Sequence, residues 1–226
     1  MIYALPPPRL LILIGGVSGV GKSHTAQALA RTLNAYLLST DVLRAAVRSV
    51  IPTQVVPHLH RSSFMACSES SDMLTTVDHQ TRALTPALHA AVERALSEHP
   101  VVVVEGVHLL PDLNTNVPAT EILQVLLTVP SPAVHQARLQ ERARETSGRR
   151  SAQLPTLHMG ALRDMQDALI ARAIRSNINV LPADDLTHSV LCLLAFDRLS
   201  RTSGHGDEAS FATSDKAERL PAEAHP

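Results

Sequence analysis

Residues Gly16 to Ser23 read Gly-Val-Ser-Gly-Val-Gly-Lys-Ser, which fits the spacing G-x-x-x-x-G-K-[ST]. Glycines at these positions let the backbone double back so that successive N–H groups converge on one centre. The result is an anion nest, reinforced by the N-terminus of the helix that follows. Gly16, Ser18, Gly19, Val20 and Gly21 would form that nest around the phosphates of ATP. Lys22 would reach the β- and γ-phosphates as a compact charge, and the Ser23 hydroxyl would coordinate Mg²⁺. Composition marks the same loop: four of the nine glycines (Gly15, Gly16, Gly19, Gly21) lie there, and only two of 20 basic residues are lysine, Lys22 and Lys216. An ordinary turn between strand and helix is the competing reading.

Two carboxylates stand at the ends of expected strands, and ligands of open α/β sheets bind at that carboxyl edge. Asp41 follows Ser39-Thr40 and reads as the acceptor-side group, placed to orient or deprotonate a hydroxyl. Glu105 follows four valines and reads as the metal-side group. With Lys22 they form the expected catalytic set; a helix N-cap for Asp41 and a solvated strand-end acid for Glu105 are the plainer alternatives. Arg44, Arg48 and Arg61 come after the strand whose end should face the acceptor. Their planar forks suit carboxylate and phosphate, which predicts an anionic acceptor. Arg142, Arg144, Arg149 and Arg150 surround Gly148, where a closing lid could carry Arg149 and Arg150 onto the phosphates. Surface pairing with Glu141 and Glu145 equally explains the first two. His108 shares the sheet edge with Glu105 and is read either as an acceptor contact or as core. His58 and His60 look like a ligand pair, but no third ligand stands at zinc-site spacing, so a structural or surface role is expected.

These groups need elements to hold them. Arg9 to Ile14 is an apolar run bounded by prolines and Gly15-Gly16, the pattern of a strand buried on both faces. Ala26, Leu29, Ala30 and Leu33 then recur at helical spacing from about Lys22. Tyr36 to Ser39 reads as a strand, Val42 to Val50 as a helix, and Thr76 to Ser97 as a helix interrupted at Pro86. Val101 to Val104 and Ile122 to Val129 read as strands. Ser131-Pro132 reads as N-cap and first residue of a helix running to about Glu145. Leu162 to Ala173 is helical in period, Asn179 to Leu181 a short strand, and Leu186 to Leu199 a helix apolar over most of its surface, hence buried. Alternating strands and helices imply a three-layer α/β fold with a parallel sheet and helices on both faces. One domain over residues 1–201 is expected, with 202–226 as a mobile tail.

Composition excludes several classes. The chain has 226 residues, 45% hydrophobic and 18% charged, which is globular rather than disordered. Net charge is −1, without the basic excess of a nucleic-acid binder. The longest early apolar run is too short to span a bilayer, so no membrane role is expected. Two cysteines, Cys67 and Cys192, make no disulfide framework, which fits a soluble cytoplasmic protein.

With these residues in place, the chain resembles the 2-phosphoglycerate kinase family of P-loop kinases. Four stretches carry the likeness: LILIGGVSGVGKSHTAQALA at 11–30, LSTDVLRAAVR at 38–48, LHRSSFMA at 59–66 and VVVVEGVHLLP at 101–111. The first is shared by many small-molecule kinases, and the other three, in this order, are more specific. Weaker similarity continues through ERARETSGRR, so the likeness covers about residues 9–200. It implies transfer of the γ-phosphoryl group of ATP to the free hydroxyl of 2-phosphoglycerate, giving 2,3-bisphosphoglycerate and ADP. That acceptor carries a carboxylate and a phosphate, matching Arg44, Arg48 and Arg61. His24 departs from the Thr usual after Lys-Ser, and Phe64 from a frequent Tyr. Related kinases with similar loops act on gluconate, shikimate, adenylylsulfate or nucleotides. A non-catalytic ATP-binding switch is the reading from a different class.

Overall fold

Six consecutive apolar residues make the central strand. In the computed structural model, which describes residues 9–61, 73–113, 117–145 and 159–208, β1 (Leu10–Gly15) is buried along its whole length. Around it lie α1 (Lys22–Leu33), β2 (Tyr36–Ser39), α2 (Thr40–Val50), α3 (Pro57–His60), α4 (Met73–Glu98), β3 (Val101–Glu105), β4 (Glu121–Thr128), α5 (Pro132–Glu145), α6 (Met159–Arg175), β5 (Asn179–Pro182) and α7 (Thr187–Glu208). The sheet is parallel throughout, in the order β2-β3-β1-β4-β5.

Strand side chains alternate between faces, and the core divides accordingly. Leu10, Ile12 and Ile14 pack against α1, α6 and α7, whereas Leu11 and Leu13 pack against the second half of α4. This gives the expected three layers. Truncating one of these residues to Ala would cost roughly 2–5 kcal/mol. Arg172 on α6 makes a two-pronged ion pair with Asp78 in the first half of α4, at 2.6 and 2.7 Å.

Register places the chemistry. Ile14 pairs with Glu105, and Ser39 also pairs with Glu105. The ends of β1, β2 and β3 therefore meet at one edge, with the glycine loop, Thr40-Asp41 and Glu105 side by side.

Three local expectations change. Helix α4 is continuous through Pro86. The proline costs one backbone hydrogen bond, but Leu84 and Leu88 on either side are anchored in the core and hold the helix together. Helix α2 begins at Thr40 rather than Val42, so Asp41 lies in its first turn instead of capping it. Helix α7 is not buried over most of its surface: Leu191 is fully buried, whereas Leu193 is 70% and Phe196 55% exposed. It packs on α1, β1 and β4 from one side only, as an outer layer must. Its helical backbone runs on to Glu208. Residues 209–226 lie outside the described residues. No helix among the described residues is long and apolar enough to cross a membrane, and Cys192 is a free thiol.

Candidate active site

The loop between β1 and α1 is held from behind by its neighbours. Val17 carbonyl accepts from Lys22 Nζ at 2.8 Å, Ser18 carbonyl from His135 Nε2 at 2.7 Å, and Val20 carbonyl from Arg138 Nη1 at 3.2 Å. A trans peptide points its N–H opposite to its C=O, so tying the carbonyls of Ser18 and Val20 also fixes the N–H groups of Gly19 and Gly21. Gly19 is required sterically: its φ is +84°, and a Cβ there would stand 2.6 Å from Leu139 Cδ2 on α5.

The loop opens into a cleft of about 1080 Å³. That is at the upper end of the usual size of a small-ligand site, about 300–1,000 Å³. One wall carries Asp41, Arg44 and Arg48 from α2; the opposite wall carries Arg138 and Arg142 from α5 and Asp184 and His188 beyond β5. Ser18, Gly19, Val20, Gly21, Lys22, Ser23 and Glu105 line its floor, whereas Gly16, expected in the nest, is not among the lining residues.

Two carboxylates support the buried cation at the floor. Burial pushes the Lys22 ammonium below its ordinary pKa, while Glu105 and then Asp41 pull it back up. The Ser23 hydroxyl donates to Glu105 Oε2 at 3.2 Å, which brings the two expected metal-side oxygens together.

Other expected residues fall elsewhere. Arg61 does not line the cleft; its carbonyl accepts from Arg44 Nη2, while Arg44 Nε donates 2.9 Å to Leu59 carbonyl. His108 is also off the cleft, 1% exposed, between Thr40 and Gln80. Arg144 pairs with Glu141 at 3.2 Å, the surface alternative, whereas Arg142 reaches Ser18 Oγ at 3.3 Å. Arg149 and Arg150 lie outside the described residues, as do Phe64 and most of the 59–66 stretch. His60 Nε2 donates to Ile51 carbonyl at 2.9 Å, and the His58 and His79 rings meet at 4.3 Å.

His135 and Arg138 are unforeseen members of the site. Both sit on α5, and with Arg142 they recur at i, i+3 and i+7, one helix face. The Ser131 cap, seen as Val134 N–H donating to Ser131 Oγ at 3.4 Å, sets the phase of that face and could have revealed it. Burial pushes the His135 pKa down, against its bond to Ser18 carbonyl; Arg163, Arg138 and Lys22 lower it further. Of the two neutral tautomers, the one with hydrogen on Nε2 can donate to that carbonyl. Arg138 Nη2 also donates to Ala183 carbonyl at 2.7 Å, joining the loop to the segment after β5.

Comparison with known proteins adds the lineage of this site. The AAA domain family matches residues 11–169. A 2-phosphoglycerate kinase from Pyrococcus horikoshii is 31% identical over 188 residues, covering 80% of this chain and 62% of that protein. A 2-phosphoglycerate kinase from Thermococcus kodakarensis is 30% identical over 194 residues, 83% of this chain and 66% of its own. A mevalonate-3-phosphate 5-kinase from Thermoplasma acidophilum is 24% identical over 181 residues, 77% of this chain and 89% of its own. The chain thus spans less than two thirds of the length of these two 2-phosphoglycerate kinases.

Proposed function

The chain belongs to the AAA domain family, and from that premise we propose that it is an ATP-dependent kinase, transferring the γ-phosphoryl group to the free hydroxyl of 2-phosphoglycerate. The products are 2,3-bisphosphoglycerate and ADP. The observation that carries the reading is the cleft itself, where a lysine–serine–glutamate floor faces a wall of one carboxylate and two arginines.

Phosphoryl transfer passes through a loose transition state, so positioning and charge neutralisation supply most of the acceleration. Lys22 and the loop N–H groups bind the phosphates. Arg142 approaches them from α5. Ser23 and Glu105 fit Mg²⁺: both offer hard oxygens at adjoining positions, and Mg²⁺ takes one or two protein groups and completes its shell with phosphate and water. Bound there, the ion would neutralise charge on the β- and γ-phosphates. Asp41 orients the acceptor hydroxyl and accepts its proton. Arg44 and Arg48 bind the acceptor's carboxylate and phosphate; two of Arg44's donors are committed to carbonyls, which fixes its plane and leaves further N–H groups.

The named relatives support an acceptor of this chemistry, since both acceptors are phosphorylated hydroxy acids with a free hydroxyl. The free Cys192 thiol suits a reducing cytoplasm. An ADP-release assay with 2-phosphoglycerate, mevalonate 3-phosphate, gluconate, shikimate and nucleoside monophosphates tests the reading. Turnover is expected with 2-phosphoglycerate at the highest kcat/KM. Turnover only with a nucleotide would replace the acceptor, and ATP binding without turnover would favour the switch.

A further inference from the structure

We propose that Thr40, His108 and Gln80 form a buried positioning unit that holds the acceptor wall, Asp41 and Arg44, in place against Glu105. This rests on the functional reading above for what the wall binds, but its geometry stands independently. None of the three residues lines the cleft, and all are within 1% of full burial.

Hydrogen-bond accounting orients each member. Gln80 has one amide end 2.8 Å from His58 carbonyl and 2.9 Å from Arg61 carbonyl. Both partners are acceptors, so that end is the NH₂ and the other is the oxygen. His108 Nε2 lies 3.3 Å from this oxygen and must carry the ring hydrogen to donate to it. In the neutral ring Nδ1 is then the acceptor, and the Thr40 hydroxyl, 3.0 Å away, donates to it. The His108 carbonyl in turn accepts from Thr81 Oγ1 at 3.2 Å. A neutral imidazole satisfies every bond in this chain. The surroundings agree: burial lowers the His108 pKa to about 4, against Asp41, with Arg44 and Lys22 adding to the depression.

The unit acts on the cleft through its two ends. Thr40 is the first residue of α2, so fixing its hydroxyl fixes the next residue, Asp41, and the turn that carries Arg44. At the far end Gln80 and Arg44 donate to the same Arg61 carbonyl, gripping the chain after α3 from α4 and α2 at once. Gly106 makes room for the close approach, because a Cβ there would stand 1.7 Å from Thr40 Oγ1. The acceptor wall is thereby referenced to the strand that ends in Glu105, rather than to the glycine loop.

The test separates hydroxyl from packing. Thr40→Val keeps the branched shape and loses the donor, while Thr40→Ser keeps the donor. With MgATP, Thr40→Val should raise the acceptor KM by roughly 10-fold and leave the ATP KM within about twofold, whereas Thr40→Ser should stay near wild type. Equal impairment of both variants, a parallel rise in both KM values, or a silent Thr40→Val would overturn the unit. Long-range ¹H–¹⁵N spectra of the wild-type imidazoles, assigned by loss of one signal in His108→Gln, give a readout that needs no turnover. A neutral ring protonated on Nε2 at pH 7 is expected, and an Nδ1–H tautomer or an imidazolium would refute it. A wild type inactive on every acceptor would sink the functional reading and leave the tautomer result to decide this one.

Discussion

Ser23 Oγ donates to Glu105 Oε2 across 3.2 Å, joining residues 82 positions apart in the chain. The contact exists because β1 and β3 are neighbours in a register that sets Ile14 beside Glu105. Glu105 also helps keep the buried Lys22 charged. Glu105→Gln preserves shape and removes that charge. It should lower kcat by roughly 100-fold and raise the Mg²⁺ concentration needed for half-maximal rate, with the fold retained. A Mg²⁺ titration of steady-state rate, with circular dichroism as the fold control, measures both; a kcat within about threefold of wild type would remove Glu105 from the metal side.

The loop should depend on α5 as well as on its own glycines. His135→Ala leaves the Ser18 carbonyl without its 2.7 Å donor and should cost about 1–3 kcal/mol of stability. It should also weaken MgATP binding by roughly 10-fold, because N–H groups of the loop are no longer held. His135→Gln, which can still donate, should recover most of the affinity. Isothermal titration calorimetry with MgATP distinguishes the two variants.

Gly106→Ala should be among the costliest single-methyl changes available. The position has φ +151°, and the added Cβ meets Thr40 Oγ1 at 1.7 Å. Backbone strain and overpacking together predict a loss of about 2–4 kcal/mol in urea unfolding. Gly160→Ala is the matched control. Nothing lies within 4 Å of that Cβ, and the site is helical, so a change between zero and a gain of about 1 kcal/mol is expected.

Stability should fall on the acid side through buried histidine. An unfolded histidine takes up its proton near pH 6.5, whereas His108 does so only near pH 4 in the folded protein. Between those values the unfolded chain binds more protons, so folding weakens as pH falls, by up to about 3 kcal/mol from this residue alone. The contribution is complete above pH 6.5 and is lost on descending to about pH 4. Urea midpoints measured from pH 7.5 to 4.5 should show a shallower slope in His108→Gln than in wild type.

The parts legible in sequence were those whose signal is local. The apolar run into Gly15 and the spacing of Gly16 to Ser23 disclose β1, the loop and the start of α1, because buried strands and anion nests each demand particular residue types. Glu105 could be found from the valines before it, and Asp41 from the end of β2. What distant segments do to one another left no local mark. Gln80 looks like any polar residue on a helix until His108 and two carbonyls are set against it. Arg61 and Arg44 look alike in sequence, yet one lines the cleft and the other lends it a carbonyl. The apolar surface of α7 reports a preference for burial, and only the position of the helix outside the sheet shows that no layer among the described residues covers Phe196.

The most direct test is ³¹P NMR of the protein with MgATP and 2-phosphoglycerate. The γ-phosphate signal of ATP should decline as a second phosphomonoester resonance grows on the acceptor, one for each ADP formed, and Lys22→Ala should abolish both changes. ADP accumulating with free phosphate and no new phosphomonoester, or transfer persisting in Lys22→Ala, would contradict the proposed mechanism.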